Sequence, residues 1–541
     1  MPPSLQSLIV RLYLRRFRVP RDLLRVAARR YADRTALVTD HGSLTFPELA
    51  DRVWRLADSL AARGIRRGDR VGYIASGQQD QLEILLASYE IGAVLVGFTH
   101  VHPLDVIESA VAEQPPAVFF VDAEVRPDVD ALLAERFPAT TRIRTAADHE
   151  ALIAAGRPVP QRGTVAPTDI SGLGFTSGTT GRPKAMTVTQ GVWLTSLRLS
   201  VLNVRVQLGG HDVAMPGMPI SGAGSGLILP SLAGGATLVL PTSYDTPTLI
   251  DTIERHRVTR AFVTPSTLID LVDADLEGRD LSSLANIIYG TAPTPSLKIA
   301  EAVRRFGAIL QQGYGMAEVL PPVSLLQMEH HGVGHEPASR EALRSVGRPV
   351  PQVRVRIVTE DARPVAQGEP GQVEVASPTV FGGYWNAPEL TARAFRDGYL
   401  RTRDYGYLDA EGRLVILDRD VDVIDRDGRQ LFPREVEETV HEYAAVKEAC
   451  LVTTPDGQLV LAVSLRRAWR DETLRQAQGS GEQAQGSDGS VGAEIAAFLA
   501  ERLPEWQRPD RVLVLPELPR SYLNKVLRRE IRDALTEGDP A

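Results

Sequence analysis

The sequence predicts an α/β protein: a large N-terminal domain of two α/β sheets plus a β-barrel subdomain, followed by a small α+β C-terminal domain. Helical and strand periods alternate from residue 44 onward, and they alternate again from about Asp212 to Gln312. After Ser345 the pattern changes to short strands broken by Gly, Pro and Asp. Strand–helix–strand order indicates mostly parallel sheets, and ligand sites gather at the carboxyl edges of such sheets.

The first alternating stretch opens with a helix. Thr45 can cap this helix, Pro47 suits its first turn, and Gly64 stands where a C-terminal cap belongs. Apolar strands are then predicted at 70–75, 93–98, 117–121 and 172–175. Helical segments separate the first three of these strands, as the crossover connections of a parallel sheet require.

The second stretch and the residues after it complete the predicted fold. Strands are predicted at 236–240, 260–264, 286–289 and 309–312 in the second sheet, and at 354–358, 371–375 and 413–417 in the β-rich subdomain. The roughly 120 residues beyond Asp418 are enough to form a small domain of their own.

Composition and charge argue against several functions. The chain has 541 residues and a formal net charge of −8, so we expect no nucleic-acid partner. Its single cysteine, Cys450, allows no intrachain disulfide and fits a reducing cytoplasm. No apolar run reaches the roughly eighteen residues of a transmembrane helix.

The N-terminal segment is rich in arginine, with eight arginines between Arg11 and Arg30. The apolar residues Leu23 and Leu24 lie among them, a pattern typical of a helix that docks by one side and leaves a basic face in solvent. Contact with an anionic membrane is the alternative, and we do not expect it.

The sharpest local motif is a candidate phosphate loop after the predicted strand 172–175. Its two glycines let backbone N–H groups turn toward an anion, its four hydroxyls add donors, and its lysine adds a positive charge. It is not a Walker A loop, because the glycine spacing differs and a proline precedes the lysine. The loop consists of Thr176, Ser177, Gly178, Thr179, Thr180, Gly181, Arg182, Pro183 and Lys184.

With this loop, the sequence resembles the adenylate-forming superfamily, which includes acyl- and aryl-CoA ligases, adenylation domains of peptide synthetases and firefly-type luciferases. Later family motifs follow in the family's order over nearly the whole chain. They are Gly290-Thr291-Ala292-Pro293, Gly313-Tyr314-Gly315-Met316-Ala317-Glu318, Ser345-Val346-Gly347-Arg348-Pro349, Gly383-Tyr384-Trp385, Arg401-Thr402-Arg403-Asp404, the run 419–428 and the segment 519–528 around Lys525.

The resemblance implies an acyl-CoA ligase that uses ATP, or acyl-AMP, together with Mg²⁺ and coenzyme A. A carboxylate attacks the α-phosphate of ATP to give acyl-AMP, and a thiol then displaces AMP. The resemblance also implies an acyl- and nucleotide-binding domain at 1–417 and a mobile lid domain at 418–541, which rotates between the two steps. The hinge residues would be Asp418, Arg419 and Val421.

Nucleotide contacts follow from the same resemblance. Tyr314 would stack on adenine, Asp404 would accept hydrogen bonds from the ribose hydroxyls near Arg419, and Glu318 would hold Mg²⁺. The nucleotide site would further include the phosphate loop and Gly290, Thr291, Ala292, Pro293, Gly313, Gly315, Met316 and Ala317.

Two residues of the lid domain would act in turn. Lys525 would neutralise the charge that builds up on the carboxylate and the α-phosphate in the first step. Gly428 would line the tunnel through which the pantetheine thiol reaches the adenylate in the second. Outside the family, Lys525 would be a typical surface charge, and Glu318 or Asp404 a typical solvated carboxylate.

Several positions depart from the family pattern. Ala317 stands where a threonine is usual, Arg403 replaces a glycine beside the ribose carboxylate, Asp418 replaces a glycine, and Val421 replaces a charged hinge residue. Loss of one donor at a reacting centre costs roughly a hundredfold in rate. These changes lead to the hypothesis that adenylation is impaired and that a separate adenylating enzyme supplies the acyl-adenylate.

The acyl pocket is predicted at Ile220, Ser221, Gly222, Ala223 and Gly224, where small side chains leave room for a bulky apolar acid. The alternative is that the glycines only allow a tight turn before a helix.

Other interpretations stay open beside these. The acceptor thiol could belong to an acyl carrier protein acting in trans, or the chain could bind adenylate without turnover. The cluster Glu329-His330-His331 with His335-Glu336 has metal-like spacing but no helix to fix it, so no zinc site is expected. Cys450, in a predicted strand at 449–452, is expected to be a buried core thiol.

Overall fold

The chain folds into two large sheets, a curled antiparallel sheet and a smaller C-terminal unit, as the sequence predicts. The computed structural model describes residues 10–537 except 75–76, 101, 161–162, 177–183, 205–209, 221–223, 467–468, 470–484 and 521–525, with the backbone alone at 175–176, 485–490 and 537. Within these residues, no helix is both long and apolar enough to cross a membrane.

A six-stranded sheet holds the first alternating stretch. In spatial order its strands are Thr141–Ile143, Val118–Val121, Arg70–Ile74, Val94–Gly97, Ile170–Thr176 and Lys184–Thr189. Neighbours are parallel except for the last pair, in which Thr176 lies opposite Lys184. The candidate phosphate loop therefore begins and ends at adjacent positions of two antiparallel strands.

A nine-stranded sheet holds the second stretch. In spatial order its strands are Arg348–Pro349, Val319–Leu326, Leu310–Met316, Asn286–Gly290, Arg260–Val263, Val213–Pro216, Thr237–Val239, Thr35–Thr39 and Gly42–Thr45. The six strands from Leu310–Met316 to Thr35–Thr39 in this order are parallel to one another, so their carboxyl ends meet at one edge. The strand predicted at 309–312 continues to Met316 and thus carries the tyrosine motif itself.

The predicted barrel subdomain is a curled five-stranded antiparallel sheet. Its strands are Arg354–Val358, Gly371–Ala376, Tyr399–Leu408, Phe395–Arg396 and Leu414–Arg419. Register shifts between Gln372 and Glu374 and between Tyr405 and Gly406 bend its two central strands, as β-bulges do.

Helices cover the faces of the two large sheets. The helix Phe46–Ala62 begins where predicted, because the Thr45 side chain accepts from Glu48 N and the Glu48 carboxylate accepts from Thr45 N. The helices before residue 418 are Arg21–Arg30, Phe46–Ala62, Gln78–Ile91, Leu104–Glu113, Pro127–Arg136, Ala146–Ala155, Gln190–Asn203, Ser225–Gly234, Thr246–His256, Pro265–Asp273, Ser296–Phe306, Arg340–Arg344 and Pro388–Ala394.

The C-terminal unit has a sheet and a core of its own. Its elements are the hairpin Ile424–Arg426 and Arg429–Leu431, the three-stranded sheet Val446–Thr453, Leu459–Leu465 and Arg511–Leu515, and the helices Pro433–Val440, Gln485–Ala500 and Arg528–Glu537. Its hydrophobic core includes Leu431, Val436, Leu461 and Leu499. A separate core supports the predicted division near residue 418, which stays a prediction.

Candidate active site

The carboxyl end of the strand Leu310–Met316 and the loop after the neighbouring parallel strand Asn286–Gly290 form the floor of a cleft. Gly290 lies opposite Gly313, and a Cβ atom on Gly290 would stand 2.5 Å from the Gly313 carbonyl oxygen, so the strands approach closely because this residue is glycine. The next residue, Thr291, turns the loop with a φ of +77°. The cleft has a volume of about 230 Å³ and is lined by the predicted nucleotide-site residues Thr291, Ala292, Pro293, Gly313, Tyr314, Gly315 and Met316.

Tyr314, Asp404 and Arg419 come together on one wall of this cleft. The Tyr314 hydroxyl donates to Asp404 Oδ2 at 2.5 Å, and Arg419 Nε lies 3.8 Å from Asp404 Oδ1. Asp404 and Arg419 face each other across paired strands of the curled sheet, which sets their spacing. Burial, and then the charge of Asp404, raise the pKa of Tyr314 well above its ordinary value, so its hydroxyl remains a donor. A buried carboxylate in this position suits the hydroxyl groups of a sugar.

Glu318 is joined to the strand that follows the phosphate loop. The Tyr384 hydroxyl donates to Glu318 Oε1 at 3.3 Å, and Tyr384 forms an antiparallel bridge with Met186 in the strand Lys184–Thr189. Burial, and then the Glu318 charge, raise the pKa of Tyr384 to about 12, so this hydroxyl also stays protonated. The sequence predicted no role for Tyr384. Its place in a family motif was the one signal that pointed to it.

Several predicted site residues lie outside the described part of the chain. They are Ser177, Gly178, Thr179, Thr180 and Gly181 of the phosphate loop, Ser221, Gly222 and Ala223 of the acyl pocket, and Lys525. Two of their neighbours mark where these segments start or end. Lys184 begins the strand after the phosphate loop, and Val526, the residue after Lys525, lines the cleft.

Ile220 and Gly224 flank the undescribed part of the predicted acyl pocket. Ile220 is buried. A Cβ atom on Gly224 would stand 2.7 Å from the carbonyl oxygens of Met218 and Pro219, and the helix Ser225–Gly234 begins at the next residue. For Gly224 the structure favours the alternative interpretation, a tight turn before a helix. The pocket role of these residues stays a prediction.

Arg403 has a left-handed backbone conformation, which favours glycine over other residues. Its φ is +66°, which costs an arginine about 1 kcal/mol. Its Nε donates to Asp420 Oδ2 at 2.9 Å, and its carbonyl oxygen accepts from Asp420 N at 2.8 Å. The guanidinium is thus bound beside the predicted hinge, while Asp404 accepts the hydrogen bond of Tyr314.

Asp418 joins the curled sheet to the C-terminal domain. Its backbone pairs with Tyr405 in that sheet, whereas its Oδ2 accepts from Arg434 N at 2.9 Å, at the start of the helix Pro433–Val440. Its Oδ1 lies 3.6 Å from Arg528 Nη2. A carboxylate at a helix N-terminus satisfies an otherwise unpaired N–H group. Val421, three residues further on, is 44% exposed.

The buried Asp418 predicts a pH-dependent stability. Burial outweighs the attraction of Arg528 and raises the pKa of Asp418 to about 7. The folded chain therefore keeps this proton while the unfolded chain loses it, so the carboxyl costs stability as pH rises from about 4 to about 7. Relative to wild type, Asp418→Asn should gain several degrees in thermal midpoint over that range. Melting curves test this, with Asp456→Asn at an exposed turn as the charge control, and parallel curves for wild type and Asp418→Asn would contradict it.

Gly428 is not brought to the cleft in this domain arrangement. It lies at the tip of the hairpin Ile424–Arg426 and Arg429–Leu431 with a φ of +74°, and its N–H donates to Asp425 Oδ1 at 3.0 Å. Among the described residues, no atom lies within 4 Å of where its Cβ would be. The hairpin is held to its own domain, because Arg426 pairs with Asp510 at 2.9 Å.

The second wall of the cleft comes from the C-terminal domain, and sequence reasoning missed it. Glu437, Glu438, Glu448 and Arg528 all line this wall. Arg528 binds both oxygens of Glu437, with its Nη1 2.7 Å from Oε1 and its Nη2 3.0 Å from Oε2. In the sequence these residues look like ordinary helix and strand surface charges. The cleft therefore lies between the part of the chain before residue 418 and the C-terminal unit.

His331 and His335 of the predicted histidine cluster hydrogen-bond to different partners. His331 is fully buried, with one ring nitrogen 2.9 Å from the Tyr289 hydroxyl and the other 3.0 Å from the Gln327 carbonyl oxygen. Burial lowers the pKa of His331 to about 4, so the ring is neutral at pH 7. His335 Nδ1 lies 2.8 Å from the Arg304 carbonyl oxygen instead. Their hydrogen bonds give these histidines a structural role.

The fold and the cleft match those of known proteins. A family model for AMP-binding enzymes matches residues 24–385. The chain belongs to this family of AMP-binding, adenylate-forming enzymes, which confirms the resemblance seen in its motifs. Its ligand class is accordingly an adenine nucleotide.

Relatives define its chemistry more closely. The medium/long-chain-fatty-acid–CoA ligase of Mycobacterium tuberculosis is 32% identical over 540 residues, covering 95% of this chain and 90% of that protein. A feruloyl-CoA synthase from an Amycolatopsis species is 32% identical over 510 residues, covering 92% and 95%. The amide bond synthetase McbA of Marinactinospora thermotolerans superposes with a TM-score of 0.80 at 26% identity, covering 96% of this chain and all 100% of that one. The chain is an enzyme of the acid–thiol ligase type.

Proposed function

We propose that this enzyme joins a bulky hydrophobic carboxylic acid to coenzyme A by way of acyl-AMP. The observation that carries the proposal is the set of Tyr314, Asp404 and Arg419 on one wall of an interdomain cleft, with Val526 on the other. A nucleotide held by its ribose on the first wall would present its phosphates toward the segment that contains Lys525.

In the first step a carboxylate oxygen of the acid attacks the α-phosphorus of ATP. The bond from that phosphorus to the bridging oxygen breaks, and pyrophosphate leaves with the electron pair. Asp404 would hold the ribose hydroxyls, and Tyr314, with its proton retained, would keep the Asp404 carboxylate in place. Lys525 would stabilise the negative charge on the attacking carboxylate and the α-phosphate.

Glu318 is the residue that we propose for Mg²⁺. In nucleotide sites this ion is usually held by one or two carboxylates together with substrate phosphates. Glu318 fits this pattern because it is half-buried, is oriented by Tyr384, and follows Met316 of the cleft by two residues. Bound there, Mg²⁺ would supply positive charge to the polyphosphate.

In the second step the sulfur of coenzyme A attacks the acyl carbon of acyl-AMP. The carbon–oxygen bond to the phosphate breaks, AMP leaves, and the thiol proton passes to solvent. The hairpin that carries Gly428 lies outside the cleft in the described arrangement, so this step would follow a rotation of residues 418–541 that brings Gly428 to the pantetheine path.

The rate of the proposed adenylation step depends on Ala317. This residue is exposed beside Met316 and Glu318, and its methyl group offers no donor to the α-phosphate. The bound position of Arg403 leaves Asp404 in the cleft, which supports a complete two-step ligase. Impaired adenylation, with acyl-adenylate supplied by a separate enzyme, is therefore the second candidate and rests mainly on Ala317.

Two reactions run in parallel test these candidates. One contains ATP, Mg²⁺, coenzyme A and a panel of acids from acetate through medium- and long-chain fatty acids to hydroxycinnamates. The other contains the matching synthetic acyl-adenylates and coenzyme A. We expect acyl-CoA in both, with bulky apolar acids preferred over acetate. Product from adenylate alone would support the second candidate, and product from neither would contradict the proposed function.

The same assay separates the acceptors. We expect coenzyme A to be acylated faster than a phosphopantetheinylated acyl carrier protein supplied in trans. Faster loading of the carrier would favour the alternative acceptor, and tight adenylate binding with no acylated thiol would favour a silent adenylate-binding protein.

A further inference from the structure

A glutamate of the C-terminal domain caps a helix of the N-terminal domain. Glu438, only 3% exposed, accepts hydrogen bonds from Ser296 N at 3.1 and 3.2 Å and from Ser296 Oγ at 2.7 Å. Ser296 is the first residue of the helix Ser296–Phe306. The residue before it, Pro295, makes no side-chain cap. The carboxylate therefore supplies a cap, and an opposite charge for the helix dipole, across the domain boundary.

A second buried contact lies beside this cap. Glu448 Oε1 accepts from Ser266 Oγ at 3.1 Å, and Ser266 is the second residue of the helix Pro265–Asp273. Arg520 donates to the same Ser266 oxygen at 2.6 Å and is paired with Glu448. Two carboxylates of one domain are thus bound at the beginnings of two helices of the other.

Lys298, on the helix Ser296–Phe306, makes another buried contact across this interface. Lys298 is 2% exposed, and its Nζ donates to the Val446 carbonyl oxygen at 3.1 Å. Burial lowers the pKa of Lys298 to about 8, although Glu301 at 3.7 Å favours its charged form. These buried polar contacts form only in the described domain arrangement, because each polar group would lose its partner if the domains separated.

The capped helix is directly connected to the nucleotide loop. Pro293, which lines the cleft, precedes Ser296 by three residues, and Glu438 lines the same cleft from the other side. The cap therefore holds the C-terminal domain at the place where Val526 borders the cleft. We infer that Glu438 is a positioning residue that favours the first half-reaction by capping the helix Ser296–Phe306, an inference that rests on the proposed two-step function.

Removal of the Glu438 carboxylate should affect the rates of the two half-reactions in opposite directions. Rotation of the C-terminal domain breaks the hydrogen bonds of Glu438 and returns its carboxylate to water. Loss of the carboxylate lowers the cost of rotation, so it disfavours the arrangement for acyl-AMP formation and leaves thioester formation unhindered. A charge-assisted contact of this kind is worth a factor of roughly ten to a hundred in the domain equilibrium.

The test compares Glu438→Ala with wild type in the two separate half-reactions. We expect the rate of pyrophosphate release from acid and ATP to fall at least tenfold, and the rate of acyl-CoA formation from synthetic acyl-adenylate to stay equal or rise. Ser296→Ala, which keeps the backbone donor, should shift both rates in the same directions by about threefold. Glu494→Ala is the matched control, because the Glu494 carboxylate is exposed and accepts from the Tyr443 hydroxyl at 2.6 Å within the C-terminal unit.

Two outcomes would overturn the inference. If Glu438→Ala slows both half-reactions equally, the residue has only a structural role. If it slows neither, the cap does not affect the domain equilibrium. Wild-type activity in both reactions tests the proposed function by itself, so its failure is distinguished from failure of the cap.

A distance measurement provides a readout besides activity. Spin labels at Glu277→Cys and Gln458→Cys, exposed positions in the two domains, report the domain arrangement, and the native Cys450 is buried. In the doubly labelled protein we expect one main distance, and Glu438→Ala should lower its population in favour of others. An unchanged distribution, with folding verified by melting curves, would overturn the inference.

Discussion

Gly428→Trp is expected to leave acyl-AMP formation within about threefold of wild type and to reduce acyl-CoA formation from supplied acyl-adenylate by a hundredfold or more. The two effects separate because the Gly428 hairpin lies outside the cleft in the described arrangement and has open space around its tip. After the proposed rotation the same tip would line the pantetheine path, and an indole there would occupy the volume that the thiol needs.

A second glycine of the same domain provides a control for the effect of backbone strain. Gly457 also lies in an exposed turn, with a φ of +87° and no described atom within 4 Å of where its Cβ would be. Gly457→Trp should therefore cost similar stability, about 1 kcal/mol, and change neither half-reaction. Rapid-quench measurements of pyrophosphate and acyl-CoA give both rates. An equal loss of both rates in Gly428→Trp would show that the hairpin does not serve the second step alone.

Asp404→Ala is expected to reduce pyrophosphate release by a hundredfold or more. The substitution removes the buried acceptor of the Tyr314 hydroxyl and the partner of Arg419, and it leaves no carboxylate for the ribose hydroxyls. Hydrogen bonds to a charged group contribute roughly 1.5 to 3 kcal/mol each, so the loss of two is sufficient for this effect. Because acyl-AMP has the same ribose, the KM for supplied acyl-adenylate should rise as well.

Asp409→Ala is the matched control for this prediction. Asp409 is a buried carboxylate just beyond the same strand, where it binds Arg413 N at 2.8 Å and Arg413 Nε at 2.6 Å. Its loss should lower the thermal midpoint and leave the KM values for ATP and acyl-adenylate unchanged. If both variants raise these KM values alike, the effect of Asp404 comes from damage to the curled sheet, and the ribose assignment is wrong.

Local signals in the sequence predicted most of the fold. The parallel strands at 70–75, 260–264 and 286–289 are found within one or two residues of their predicted ends, because apolar runs bounded by turn residues depend on near neighbours in the chain. The strand before Tyr314 was predicted to end at residue 312, whereas it continues to Met316 and includes the tyrosine. The strand is longer than predicted, since glycine-rich residues are poor strand formers that pairing with Val319–Leu326 overrides.

Contacts between distant residues could not be predicted. The Ser296–Glu438 cap joins positions 142 residues apart, and the Tyr314–Asp404 hydrogen bond joins positions 90 residues apart. Asp418 was identified as a hinge residue that departs from a glycine, and the structure adds that it is the acceptor for Arg434 N. Arg403 was identified as a bulky cation in place of a glycine beside the ribose carboxylate, and its ion pair with Asp420 became visible only in three dimensions.

Cys450 lines the cleft in which a reactive mixed anhydride would form. Burial raises the pKa of this thiol to about 12. The thiol therefore stays protonated at pH 7, and a protonated thiol is a poor nucleophile toward acyl groups. We therefore expect this sulfur not to acylate itself during turnover, so that the proposed acyl-AMP would last until an external thiol arrives.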